Sequence, residues 1–290
     1  MPLFTIAIVT RNYGHFIEQA IRSCLCAGDP DIDVLVVDDG SEDDTRLIVA
    51  SIQQAHPNGG RIRYHPCGRI GLAAARNEAL RLAKGTFLVC LDADDVLMPA
   101  TLGLYRQAIH DYPEIDVLYG YVVATFVDLV PAFRLPTRDV PPYPHSIEPL
   151  LARNFIPHPG TACRVESMRQ IGGYRVGLDR GEDYAMWLDL AIHGARFQYL
   201  DACVCLYRQH DDNLSRDYRI EWHRAVLQAM LARYALHELM PSLDWRMNEA
   251  SAHWRALRTM VRHLRRARAD KACVRASVSR HLQPAIALDR

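Results

Sequence analysis

The chain has 290 residues, 49% of them hydrophobic and 23% charged, with 34 basic and 34 acidic side chains. That length and composition suit one large or two small globular domains with a full core, and they exclude a disordered or fibrous chain. No apolar run reaches the roughly 18 residues needed to cross a bilayer, and Met1-Pro2-Leu3-Phe4 lacks the cationic start of a signal peptide, so the sequence reads as cytosolic.

The even charge balance hides an asymmetry. From Trp254 to Arg290, ten Arg or Lys face two Asp, which leaves 24 of the 34 basic and 32 of the 34 acidic groups before Trp254. An acidic main body does not concentrate a field on phosphates, so no nucleic-acid partner is expected for it. Eight cysteines are present, including the close pairs Cys24/Cys26 and Cys203/Cys205. Structural zinc takes C-x2-C or wider spacing, so single buried thiols are the expectation.

Taken in order, Phe4–Thr10 is a β-branched run of strand length, followed by helical spacing at Phe16, Ala20 and Ile21. Val34–Asp38 is a second strand. A helix follows from about Asp43 to Ala55, with Ser41 in the position of an N-cap. Ile62–His65 is a short third strand. Leu72–Lys84 is helical, with Gly85 where a C-cap belongs. Thr86–Leu91 is a fourth strand, Pro99 opens another helix, and Val117–Phe126 is a fifth strand. Strands that are apolar throughout and separated by helices predict a parallel sheet covered on both faces, a doubly wound α/β domain.

Five prolines between Pro131 and Pro144 predict an extended connector. Beyond it come a helix over Ser146–Asn154, a segment around Thr161–Arg164, a helix from about Asp183 to His193 and a strand-like Phe197–Leu200. From Glu221 onward the pattern is helical only. Trp254, Leu257, Val261 and Leu264 recur at helical steps among Arg255, Arg258, Arg262, Arg265, Arg266 and Arg268. A basic amphipathic helix of this kind lies on an anionic membrane surface, or packs on its own domain or a second subunit.

Ligands of an open α/β sheet bind beyond the carboxyl ends of the strands. Those ends here carry Thr10-Arg-Asn12, Asp38-Asp39-Gly40-Ser41 and Asp92-Ala-Asp94-Asp95. One such cluster is as readily a turn, but three brought to one edge form a candidate site. Neither G-x-G-x-x-G after the first strand nor G-x-x-x-x-G-K-[ST] occurs, which disfavours a dinucleotide dehydrogenase and a P-loop NTPase. The run Asp92–Asp95 instead offers hard carboxylate oxygens suited to Mg²⁺ or Mn²⁺ beside a diphosphate.

These residues carry a resemblance. Val36-Val-Asp38-Asp39-Gly40-Ser41, Ala75-Arg76-Asn77, Leu91-Asp92-Ala-Asp94-Asp95 and Gly181-Glu182-Asp183-Tyr-Ala-Met-Trp187 resemble family 2 glycosyltransferases of the GT-A fold, as do the downstream Gly172-Gly173-Tyr174 and Tyr207-Arg208-Gln-His210. The resemblance runs from about Leu3 to Ser215. It implies a Rossmann-like three-layer α/β/α sheet domain over 1–215, with a nucleotide-sugar-binding half (1–126) and an acceptor-side half (127–215), and a helical, basic C-terminal extension over 216–290. It also implies inverting transfer of a sugar from a nucleotide-diphosphate sugar, with a lean to uridine, to a hydroxyl of a saccharide or lipid-linked saccharide.

By the same resemblance, Asp39 accepts a hydrogen bond from the nucleobase, and Thr10 and Asn12 line its pocket. Arg76 and Asn77 lie near the donor, Asp92 contacts the ribose, and Asp94 holds Mn²⁺ or Mg²⁺, with His210 near the metal or diphosphate. Asp183 is the general base, with Glu182 one residue away as the other candidate. His145 and His158 read as structural or acceptor-side. A sugar nucleotidyltransferase and a non-catalytic nucleotide-sugar-binding module are the competing readings. The placement implied is cytoplasmic, with peripheral contact at the inner face of the membrane or self-association through the C-terminal helices.

Overall fold

Strands β1 (Phe4–Thr10), β2 (Ile32–Asp38), β3 (Ile62–Pro66) and β4 (Phe87–Asp92) lie parallel in the order β3-β2-β1-β4. Helices α1 (Gly14–Leu25), α2 (Thr45–Ala55) and α3 (Leu72–Leu82) make the crossovers. The chain continues through β5 (Val96–Leu97), α4 (Thr101–Asp111), β6 (Val117–Thr125), β7 (Pro131–Arg134), α5 (Ile147–Ala152), β8 (Ala162–Arg164) and α6 (Val165–Gln170). It ends in α7 (Glu182–Ile192), β9 (Phe197–Arg208), α8 (Ile220–Arg233) and α9 (Leu236–Leu239). The computed structural model describes residues 1–26, 29, 31–135, 137–140, 147–178, 180–211, 213 and 220–241. The basic stripe from Trp254 to Leu264, and His145, lie outside the described residues.

One nine-stranded sheet unites both expected halves, in the order β3-β2-β1-β4-β8-β6-β9-β5 with β7 on β6. It is mixed, which corrects the all-parallel expectation. β8 runs antiparallel between β4 and β6, and β5 is antiparallel to β9. β8 pairs with only Val117 and Leu118 of β6, and β7 takes the stretch from Val123 to Thr125. The proline-rich connector therefore contributes a short strand, with Pro131 at its first residue, where proline removes no interior ladder bond.

Strand alternation explains why β1 and β2 are apolar throughout. Ile6, Ile8, Val34 and Val36 enter one buried cluster with Ile17, Ile21 and Val49 of α1 and α2. Ala7, Leu35 and Val37 enter the opposite cluster with Ala75 and Ala79 of α3 and Trp187 of α7. Each face is thus sealed by helices, giving three layers. Seven cysteines among the described residues are free thiols. No helix among the described residues is long and apolar enough to cross a membrane.

Two local expectations change. Ser41 does not cap α2, which begins at Thr45; the Thr45 amide meets the Asp43 carboxylate instead, at 3.1 Å. Ser41 belongs to the loop, receiving the Asn12 amide on Oγ at 2.9 Å and donating its own amide to Asp38 at 2.8 Å. Gly85 lies beyond the end of α3 and is not its cap. It is a point of close approach: a Cβ there would stand 2.4 Å from the Thr5 backbone nitrogen. Its amide and that of Lys84 both donate to Thr5 Oγ1, at 2.8 and 3.0 Å. Gly85→Ala should therefore force β1 away from the α3–β4 turn and cost about 1–3 kcal/mol, read as a lower urea midpoint at unchanged m-value.

Candidate active site

The registers bring the polar strand ends to one edge. Thr10 pairs with Asp38 across β1 and β2, and Val9 with Asp92 across β1 and β4. The loops leaving these strands are tied together by Asn12, a non-glycine residue at φ 58°. Its amide bonds Ser41, and its side-chain oxygen accepts the Glu42 amide at 2.8 Å. Asp38 supports the edge from within through Ser41 and the Tyr64 hydroxyl. Asp39 receives the amides of Ile70 at 2.6 Å and Gly71 at 3.0 Å on Oδ1, so it holds the loop before α3 against the strand end. Its second oxygen meets only the longer Gly71 contact at 3.2 Å. Thr10 Oγ1 and Arg11 Nε are buried at this edge with no hydrogen-bond partner among the described residues. Arg11 is a residue the sequence reading passed over.

Arg76, on α3 and 7% exposed, joins two carboxylates. It donates to Asp92 Oδ1 at 2.9 Å and to Glu182 Oε1. Burial works to raise the Asp92 carboxyl, but the charges of His158 and Arg76 outweigh it and hold Asp92 below the usual carboxylate range. Glu182 goes the other way: burial and the neighbouring Asp183 raise it, with Arg76 opposing. Asn77, three residues before Leu80 on the same helix, does not face this cluster. Its amide donates to the Tyr174 carbonyl at 2.8 Å and accepts the Tyr174 amide at 2.7 Å. The structure therefore places Asn77 as the fastener of the Gly172–Tyr174 turn, a role the sequence expectation of a donor contact did not include.

Asp94 and His210 do meet. His210 Nε2 lies 2.9 Å from Asp94 Oδ2, and the Asn213 amide lies 3.3 Å from the same oxygen. Arg208, buried at the end of β9, fixes this corner: Nε donates to the Asp94 carbonyl at 2.7 Å, and Nη2 donates to Gln19 at 2.5 Å. The Arg208 amide bonds Asp95 Oδ1 at 2.8 Å. Burial, then the charges of Asp94 and Asp92, push Asp95 well above the carboxylate range. Asp95 is an internal brace, and Asp92 turns to Arg76, so the acidic run resolves into three separate roles.

Among the described residues no group of three His, Cys, Asp or Glu gathers as a closed metal cage. One carboxylate oxygen and one imidazole, close enough to bond each other, fit a divalent cation that completes its coordination with diphosphate oxygens. A resident structural metal does not fit that donor set.

Asp183 stands in the first turn of α7. The Asn154 amide approaches its Oδ2 at 3.3 Å, and no Arg or Lys among the described residues pairs with it. Of the adjacent acids, Glu182 is locked to Arg76 and Asp183 is available.

Residues 5–165, more than half of the chain, match the family model described as glycosyl transferase family 2. The chain belongs to glycosyl transferase family 2. Among its relatives, chondroitin synthase of Escherichia coli is 26% identical over 253 residues, covering 86% of this chain and 35% of that protein. The chain thus spans about a third of the length of that synthase. The succinoglycan biosynthesis protein ExoO of Rhizobium meliloti is 25% identical, covering 92% of this chain and 78% of that protein.

Two solved structures show the family's GT-A fold in the same arrangement. Staphylococcus aureus TarS in complex with UDP-GlcNAc superposes with a TM-score of 0.65 at 19% identity, over 91% of this chain and 72% of that one. The mannosyltransferase PcManGT of Pyrobaculum calidifontis, in complex with GDP-Man and Mn²⁺, superposes with a TM-score of 0.59 at 22% identity, over 98% and 81%.

In this family 2 chain the part played by Asn77 is open to a direct check. Asn77→Ala removes two hydrogen bonds to the Tyr174 backbone and should lower stability by about 1–3 kcal/mol. Titration of the folded variant with nucleoside diphosphates should give the wild-type Kd.

Proposed function

We propose that the chain transfers a sugar, with inversion, from a uridine-diphosphate sugar to a hydroxyl of a saccharide or lipid-linked saccharide acceptor, in the synthesis of a surface polysaccharide or glycoconjugate. The division of labour between the adjacent acids Glu182 and Asp183 supports this reading most strongly. One is fastened to Arg76; the other stands at a helix N-terminus with no Arg or Lys ion pair among the described residues. Such a carboxylate can take the proton of an acceptor hydroxyl as that oxygen attacks the sugar, a gain of roughly 10² to 10⁴ in rate. Attack from the face opposite the leaving diphosphate inverts the sugar carbon.

The donor would lie along the strand ends. Asp39 has one oxygen with room for a further donor, Thr10 Oγ1 has no partner among the described residues, and Asp92 would offer a carboxylate to a ribose hydroxyl. Asp94 and His210 would hold Mn²⁺ or Mg²⁺. When bound, the cation would offset the negative charge that builds on the departing diphosphate. The relatives named for chondroitin and succinoglycan synthesis favour a polysaccharide product, and the family match favours glycosyl transfer over the nucleotidyltransferase reading.

Asp183→Asn should lower kcat by roughly 10² to 10⁴ and leave the nucleotide Kd near the wild-type value, since the base acts on the acceptor. A dead Glu182→Gln beside an active Asp183→Asn moves the base by one residue. For the donor side, thermal shifts with UDP and GDP, each with and without Mn²⁺, identify the nucleotide. At a hundredfold excess over Kd the true ligand adds about 2.7 kcal/mol of stability. Asp94→Asn should abolish the Mn²⁺-dependent part of that shift, because a neutral amide is a poor ligand for a hard cation.

A further inference from the structure

Under the donor edge, ionisable side chains from separate elements meet in a largely dry space. Arg76 bridges Asp92 and Glu182, and Glu182 is 5% exposed. His158, 8% exposed in the loop before β8, completes the group. Its Nδ1 stands 3.4 Å from Asp92 Oδ1, the same oxygen that Arg76 bonds. That separation is an ion-pair distance without hydrogen-bond alignment. Its Nε2 lies 3.2 Å from the Tyr174 hydroxyl, which is also 3.3 Å from Cys90 Sγ.

Charge balance decides the state of this imidazole. Two carboxylates against one guanidinium leave a negative charge uncompensated, and a buried charge needs a partner. His158 is the remaining base in the group. As an imidazolium it has a donor on each nitrogen, and its nitrogens face a carboxylate and a hydroxyl that can accept. Burial and the Arg76 charge work against protonation, but Asp92 and Cys90 outweigh them and push His158 up to about 10. Both cations approach Asp92 through Oδ1, while the side chain keeps 28% of its surface exposed. Both contacts thus fall on one oxygen, and part of the carboxylate stays open to solvent.

We propose that His158 is a positioning residue of the donor site, carried as an imidazolium that, with Arg76, holds Asp92 so that its second oxygen is presented to the donor. The inference rests on the reading that Asp92 contacts the donor. It assigns His158 a part in binding that neither its sequence neighbours Pro157 and Pro159 nor any motif of the chain points to.

The test uses the full chain labelled with ¹⁵N at histidine side chains. At pH 8, where a free histidine is neutral, the His158 signals should be those of an imidazolium, and in Asp92→Asn they should move to the neutral pattern. The groups that set this titration are Asp92, Cys90, Arg76, Tyr174 and Glu182. In parallel, His158→Gln should weaken UDP binding in the presence of Mn²⁺ by about tenfold, with a smaller effect on kcat at saturating donor. A purely structural histidine would lower the melting temperature and leave the Kd of the folded variant unchanged. A neutral His158 at pH 8 overturns the proposal, as does a His158→Gln variant with wild-type affinity for UDP. Failure of the underlying donor reading looks different: the wild type itself then binds neither UDP nor GDP.

Discussion

A buried guanidinium does not sit inside a protein unless its surroundings are built for it. Arg76 is nearly closed off from water, and its carboxylate partners come from the end of β4 and the start of α7. Removing either partner would leave charge unpaired in a medium that solvates it poorly, so the three elements are constrained to one geometry. That geometry sets two features of the edge at once. It ties Asp92 to Arg76 while Asp94 meets His210, and it fastens Glu182 while Asp183 takes no Arg or Lys partner among the described residues. The unlike surroundings of these neighbouring acids follow from where one positive charge is placed.

The second constraint comes from the far side of the sheet. His210 follows directly from the end of β9, and β9 runs beside β6 over most of its length. Arg208 ties that strand end to the Asp94 carbonyl and, through its amide, to Asp95. The two groups that would share a cation are therefore carried by separate strands but braced against each other through backbone atoms. Such bracing limits the reorganisation needed when a diphosphate arrives, which is how a preorganised site gains over a flexible one.

Much of this was legible in the sequence, and the unread portion has a common cause. The strand ends at Thr10, Asp38 and Asp92 announce themselves by local pattern, as do the helical periods of α1, α3 and α7. Ser41 and Gly85 read as caps because sequence patterns speak of neighbours along the chain, and Asn77 reads as a residue near the donor through the family resemblance. Their actual partners are Asn12, Thr5 and Tyr174, the last 97 residues away. The length of β9 was hidden by Asp201, and by register shifts opposite Tyr121 that break the alternation. β7 was hidden by its proline. His158 and Arg11 carry no pattern at all, since a buried histidine or arginine is explained only by what surrounds it.

The arrangement of β6 has an evolutionary corollary. One edge of this strand is shared by β8 near its start and β7 near its end, while β9 runs along the other. Of the segment after Arg134, the described residues 137–140 touch the body at the Arg138 carbonyl, which accepts the Tyr119 hydroxyl at 2.8 Å, and at the buried Val140. Neither contact belongs to the ladder that carries the register of β9 to Arg208, so substitutions there can accumulate without shifting that strand. A frame held by the sheet beside a stretch outside its ladders amounts to a chassis with an exchangeable part.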